Sequence, residues 1–212
     1  MSRYREAKCK VCRREGEKLF LKGERCFTNK CAFERRSYPP GQHGKSAQFR
    51  RNRESDFSRQ LRAKQKARRI YDISERQFRR YYATAQQRRG LTGLNLLQIL
   101  ESRLDNVVYR MGYAASRAQA RMMVTHGHFN VNNRRTDVPS VIITTTDNIS
   151  VREGSQKRTF FKNLPKEAEN RNPAEWVNRD LESLSGSVVR LPERSEIDGN
   201  LNEQLIVEYY SR

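Results

Sequence analysis

Acidic residues are scarce in this 212-residue chain: 24 Asp and Glu stand against 43 Lys and Arg, for a formal net charge of +19. The shortage is uneven. Residues 1–90 carry 27 basic against 9 acidic residues, residues 91–166 carry 11 against 5, and residues 167–212 reverse the sign with 5 against 10. Such an excess at one end repels itself in a lone compact domain, so a polyanion is the natural partner and a merely solvated charged face is the lesser reading. Apolar residues are also few, 35% against ~45–50% in ordinary globular domains. The core is therefore modest, and part of the chain is expected to order against its partner. No stretch approaches the ~20 apolar residues of a membrane span. No apolar signal-type stretch follows Met1. These absences give the cytoplasm as the expected location, with an organellar matrix as second choice. They exclude a membrane partner and imply a reducing setting in which cysteines rarely pair.

Cysteine is absent after residue 31. The four present, Cys9, Cys12, Cys26 and Cys31, form a C-x2-C pair and a C-x4-C pair separated by 13 residues. Two close pairs joined by a loop suit a tetrahedral thiolate site. Lys8, Lys10, Arg13, Arg14, Arg25 and Lys30 surround them, and positive charge favours the thiolate that binds metal. Structural Zn2+ is the first reading and an iron–sulfur cluster the alternative. Disulfides or free thiols are the remaining readings. Four thiolates leave no open coordination position, so such a site is structural. Leu19–Phe20–Leu21 is expected to pack a small strand on this knuckle.

Two prolines and two glycines within Tyr38–Pro39–Pro40–Gly41–Gln42–His43–Gly44 exclude helix and regular strand. With Arg35 and Arg36 the segment reads either as a phosphate-contacting loop or as an ordinary linker. Ser55 and Ser74 cap two expected helices, basic ridges anchored by a few aromatics. Gly90 and Gly93 are expected to end the second. Leu97, Leu100, Leu104, Val107 and Met111 recur at helical spacing and predict one core-facing helix. Ser116 caps a short helix, from Arg117 to about Thr125, with Arg117, Gln119 and Arg121 expected on an open face. Strand-like runs follow at Phe129–Val131, Val141–Thr145 and Ile149–Arg152. Residues 154–172 read as irregular, Asn172–Pro173 as the start of a last helix, and Leu205–Tyr210 as a strand or extended tail.

The segment Leu100–Arg110, Ser116–Arg121 and His126–Val131 resembles the small α+β RNA-binding module named after ribosomal small-subunit protein four. That module also occurs on pseudouridine synthases, tyrosyl-tRNA synthetases and a heat-shock protein. Arg35–Gly44, Glu75–Tyr82, Gly90–Gly93 and Leu205–Arg212 resemble the same ribosomal family, in its bacterial or organellar form, from end to end. The knuckle resembles the metal-binding version found in part of that family. Two departures stand out: Tyr71–Asp72–Ile73 where the family has tyrosine–glycine, and Asn132–Asn133 where it has an Asn–Gly hairpin. Asn tolerates positive φ, so the hairpin is expected to form.

The resemblance implies an α+β protein in three parts. Residues 1–45 form a four-Cys knuckle and Pro/Gly loop. Residues 46–94 form a basic helical domain completed by 173–212, which packs back on it. Residues 95–172 form the module, two helices and a small antiparallel sheet. It implies a structural component of the small ribosomal subunit that binds its rRNA at a multi-helix junction in the 5′ domain, nucleates assembly, touches neighbouring subunit proteins, borders the path by which mRNA enters and affects accuracy. The contacts expected are Arg35, Arg36, Tyr38, His43, Arg50, Arg51, Arg53, Arg62, Arg68, Arg69, Arg79, Arg80, Arg103, Arg117, Gln119 and Arg121, mostly reading shape.

An enzyme needs a constellation that is absent here. His43, His126 and His128 have no acidic or cysteine ligand near them in sequence, and no phosphate loop, nucleophile motif or small-molecule site is recognisable. The alternative is a zinc-knuckle nucleic-acid-binding regulator outside the ribosome, which would need a base-reading helix.

Overall fold

The computed structural model of the chain describes residues 4, 6–47, 55–169, 171–197 and 201–212. It divides into two compact units: residues 1–96 with 198–212, and residues 97–197.

The first unit begins with α1 (Lys8–Glu15), closed by Gly16 at φ +74°, a 3-10 turn over Gly23–Phe27, and the one-turn helices α2 (Ala32–Arg35) and α3 (Gly44–Ala47). No strand forms at Leu19–Leu21. Phe20 instead takes left-handed backbone, φ +49°. Two longer helices follow, α4 (Asp56–Ile70) and α5 (Glu75–Gln87). The Ser55 and Ser74 hydroxyls accept from the backbone N–H of Ser58 and Gln77, which caps both helices as the sequence predicts. Ala67, Ile70, Phe78 and Ala85 are buried, a thin apolar stripe under a basic exterior.

The next helix, α6 (Thr92–Glu101), runs through the division between the units. Gly93 does not break a helix but lies in its first turn, where a Cβ would stand 2.7 Å from Glu203 Cγ.

In the second unit the expected single helix is interrupted. After α6 the chain straightens at Ser102–Arg103, and α7 (Leu104–Arg110) begins anew. The break serves a cross-chain pairing: Leu104 N–H donates to the Val141 carbonyl (2.8 Å) and Ile143 N–H to that of Ser102 (2.8 Å). Val141–Thr145 is thereby reduced from a strand to a single bridge, Arg103 to Ile142. Helix α8 (Arg117–Thr125) packs on α7, and its Ser116 cap accepts from Gln119 N–H.

The sheet holds β1 (Phe129–Val131), β2 (Arg134–Thr136), β3 (Asn148–Val151), and, after α9 (Glu153–Gln156) and α10 (Thr159–Glu169), β4 (Val177–Asp180) and β5 (Ser185–Val188). Its order is β2-β1-β3-β5-β4, all antiparallel. Asn132 and Asn133 turn β1 into β2 at φ +50° and +65°, the mirror-image turn that matches strand twist. Residues 154–172, expected to be irregular, supply α10, whose Phe161 and Leu164 enter the core. The expected helix after Pro173 is instead the β4–β5 hairpin. At Gly186 a Cβ would come within 2.5 Å of the Asn178 carbonyl oxygen, so the bare glycine admits the close strand. Trp176, Phe129, Met111 and Ile149 are buried together.

Residues 173–197 thus belong to the sheet unit and not to the basic helical domain. Only the last segment completes that domain, as helix α11 (Glu203–Tyr210) and not as a strand. Its Ile206 is buried, and the Tyr210 ring lies 4.7 Å from that of Tyr82. The α+β class stands, with a five-stranded antiparallel sheet where a small one was expected.

Candidate nucleic-acid interface

The Pro/Gly loop is tied to α1 by one side chain. Arg13 Nε donates to the Tyr38 carbonyl (2.9 Å), its Nη2 donates to that of Pro39 (3.3 Å), and its guanidinium lies 4.9 Å from the Tyr38 ring centre. Gly44 N–H closes a turn onto the Gly41 carbonyl (3.1 Å), and a Cβ on Gly44 would collide with the Pro39 oxygen at 1.8 Å. The segment is a closed turn and not a slack linker. It leaves Arg35, Arg36 and His43 exposed, while the half-buried Tyr38 ring is engaged by Arg13.

The helical ridges divide into two sets. Arg62 (3.6 Å) and Arg69 both reach Glu15, whose side chain is buried, and Arg68 (3.3 Å) joins Lys64 (2.9 Å) on Glu75. These expected RNA contacts also hold the unit together. Arg79 and Arg80 are exposed on α5, as is Arg76, and Arg88 and Arg89 are exposed just after its end; these last three are not among the expected contacts. At Glu75 burial pushes the carboxyl up, but hydrogen bonds from Tyr210 and Lys64, with the charges of Lys64 and Arg68, outweigh it and hold the group below its ordinary value.

The expected open face of α8 is not open. Glu101, fully buried, receives Arg110 through Nε (2.7 Å) and Nη2 (2.9 Å), Asn106 Nδ2 (2.7 Å) and Arg117 (3.5 Å). Arg103, 1% exposed, makes a two-pronged pair with Asp105 (3.0 and 2.8 Å), and Arg121 adds to the same carboxylate (2.8 Å). Arg117 also donates to Asn106 Oδ1 (2.7 Å) and lies 4.7 Å from the Tyr109 ring centre. Gln119 Oε1 accepts from Ala115 N–H (2.8 Å). Four arginines thus enclose two carboxylates, because a buried charge must be paired.

The exposed cations of this unit lie elsewhere, at Arg134, Arg135, Arg152, Lys157, Arg158, Lys162 and Lys166. His128 Nδ1 stands 2.9 Å from Ser155 Oγ, and burial together with Arg158, His126 and Arg152 pushes its pKa down. This set faces solvent, whereas the arginines of α8 are engaged by carboxylates. Most of these residues stand on turns and a short strand, which helical amphipathicity does not weigh, and the lysines of α10 lie in a segment expected to be irregular. Arg50, Arg51 and Arg53 lie outside the described residues.

The four thiols share one place. Cys9 and Cys12 are a turn apart on α1, Cys26 is in the 3-10 turn, and Cys31 precedes α2. All are unpaired and line one small cavity of about 10 Å³ with Lys8, Lys18 and Leu21. Burial pushes the Cys12 thiol up and the backbone at Leu19 pulls it down, while Cys26, Cys9 and Cys31 add a further upward push. Among the described residues no three His, Cys, Asp or Glu side chains stand close enough to hold a metal together. The donor set and its shared cavity suit a thiolate metal site, but the sulfurs do not close on a point.

Two known families match the chain in succession: the ribosomal protein S4/S9 N-terminal domain over residues 3–101 and the S4 domain over residues 102–149. The chain is 54% identical to small ribosomal subunit protein uS4 of Acetivibrio thermocellus, 53% to that of Natranaerobius thermophilus and 50% to that of Syntrophomonas wolfei, each over 212 residues and the full length of both chains. The chain belongs to the ribosomal S4 family. The S4-domain match stops inside β3, yet the compact unit continues to residue 197. In this member of the family, α10, β4 and β5 therefore complete a core that the matched segment only begins.

Proposed function

We infer that this chain is a structural component of the small ribosomal subunit that binds small-subunit rRNA directly. The observation that carries the reading is full-length similarity to proteins named small ribosomal subunit protein uS4. The exposed arginines before the Pro/Gly turn and on α5, with the exposed cations on β2 and around α9, support this reading as groups free to meet phosphates. On this reading the partner is a helical junction in the 5′ domain, bound early in assembly beside neighbouring subunit proteins, and the bound chain borders the path by which mRNA enters. Cys9, Cys12, Cys26 and Cys31 hold Zn2+, or an iron–sulfur cluster, which fixes the knuckle and takes no part in chemistry.

Filter binding of the purified chain to transcribed small-subunit rRNA tests the reading. The expected result is preferential binding to the 5′-domain fragment over large-subunit rRNA, weakening steeply with salt. Equal binding to both RNAs would refute it. Elemental analysis of anaerobically purified chain is expected to give about one Zn per chain, or iron with visible absorbance. Neither metal, with four titratable thiols, would remove the metal from the account.

A further inference from the structure

The turn beside the cysteine cavity presents two aromatic rings to solvent. Phe27 is 75% exposed and Phe20 44%, and the rings stack with centres 5.0 Å apart and planes 27° apart. Phe20 reaches this position through left-handed backbone, φ +49°, which a bulky side chain rarely adopts. Strain of this kind persists only where the surroundings impose it, and it clusters at sites of contact. Core burial does not account for it, because neither ring is in the core. Cys26 is buried and lines the cavity while its neighbour Phe27 faces outward, and Phe20 lines the same cavity. The pair is therefore backed by a fixed part of the fold.

The surrounding chemistry selects the ligand. From Lys18 to Lys30 the cations are Lys18, Lys22, Arg25 and Lys30, against the single acid Glu24. Lys18 is paired with Glu34, while Lys22, Arg25 and Lys30 are exposed. Protein-binding patches are depleted in Lys. An exposed aromatic face flanked in sequence by exposed cations suits an unpaired nucleobase, whose ring stacks while its flanking phosphates meet the charges.

We propose that the free face of Phe27, supported by Phe20, is a stacking platform for one unpaired base of the RNA this chain binds. It rests on the rRNA-binding reading above and adds a base contact to the shape recognition made by the arginines.

The test uses the full chain and transcribed small-subunit rRNA, with Phe27→Leu, Phe27→Tyr and Phe27→Trp. Leu keeps an apolar side chain and removes the π face. Its affinity is expected to fall roughly 5- to 150-fold, the range for losing one stacked base. The salt slope should be unchanged, since no charge is lost. The Tyr and Trp variants should bind as the parent does, and the new Trp emission should be quenched on binding. Failure of the parent chain itself to bind rRNA refutes the rRNA reading, and the platform with it. Parent binding with an unimpaired Leu variant refutes the platform alone. So does weaker binding by the Leu variant when the Trp variant is not quenched, since that pattern indicates an apolar protein contact or fold damage. Melting of each variant is followed alongside, and the exposed position is expected to leave it unchanged.

Discussion

Glu101 shows how one residue can be decisive in a chain so short of acid. It is fully buried, accepts from Arg110 and Asn106, and is ion-paired with Arg117. Removing one member of a buried ion pair leaves its partners buried and uncompensated, at about 3–5 kcal/mol. Glu101→Gln is therefore expected to destabilise residues 97–197 by that amount in urea unfolding, and a change under about 1 kcal/mol would show the site to be solvent-screened. Gly44 is a second such residue. The collision of an added Cβ with the Pro39 oxygen is with backbone and not with a flexible tip. Gly44→Ala should cost roughly 1–3 kcal/mol and open the Arg13-bound turn, read as faster amide exchange at residues 38–44 with no change in the sheet unit. Neither requirement was legible. Glu101 read as one acid on a helix, and Gly44 as loop punctuation, because both depend on what comes close in space.

At the scale of elements, local signals were read well and long-range ones poorly. The caps at Ser55, Ser74 and Ser116 and the Asn132–Asn133 turn are local chemistry, and each stands where the sequence placed it. The Leu97–Met111 stripe was also real, but its periodicity could not reveal that the Val141–Ile143 backbone splits it at Arg103. Asn172–Pro173 gave a local helix-start signal, yet pairing with β5 made Val177–Asp180 a strand. Of the expected contacts, Arg35, Arg36, Arg79 and Arg80 are exposed, whereas Arg103 is buried in the core, a placement set by tertiary pairing that helical spacing does not carry. The junction of α4, α5 and α11 has a pH signature. Glu75 is lowered below its unfolded value, so its contribution is present above about pH 4.3 and is lost as pH falls through the lower folded value. Tyr210 donates to Glu75 (2.7 Å), so Glu75→Gln should flatten the acid side of the stability profile and loosen α11, measured by urea unfolding between pH 2 and 6. An unchanged profile would mean the group is solvated.

For the whole molecule, charge is unevenly distributed in purpose as well as in sequence. Among the described residues, some arginines neutralise buried carboxylates and others face solvent. Only the second class releases counterions when RNA binds. Two double variants separate the classes. Arg79→Ala with Arg80→Ala removes exposed charges. It should leave melting unchanged, weaken rRNA binding, and reduce the slope of log K against log salt by roughly 1.4–1.8, two contacts' worth. Arg117→Ala with Arg121→Ala strips cations from Glu101 and Asp105. It should lower the melting temperature of the sheet unit and change the salt slope by less than one contact, because those charges are already neutralised inside the protein. Filter binding across a salt series, beside a thermal melt, reads both effects. An intact melt with a full loss of slope in the second variant would make α8 an RNA-facing surface after all, and the buried network incidental to it.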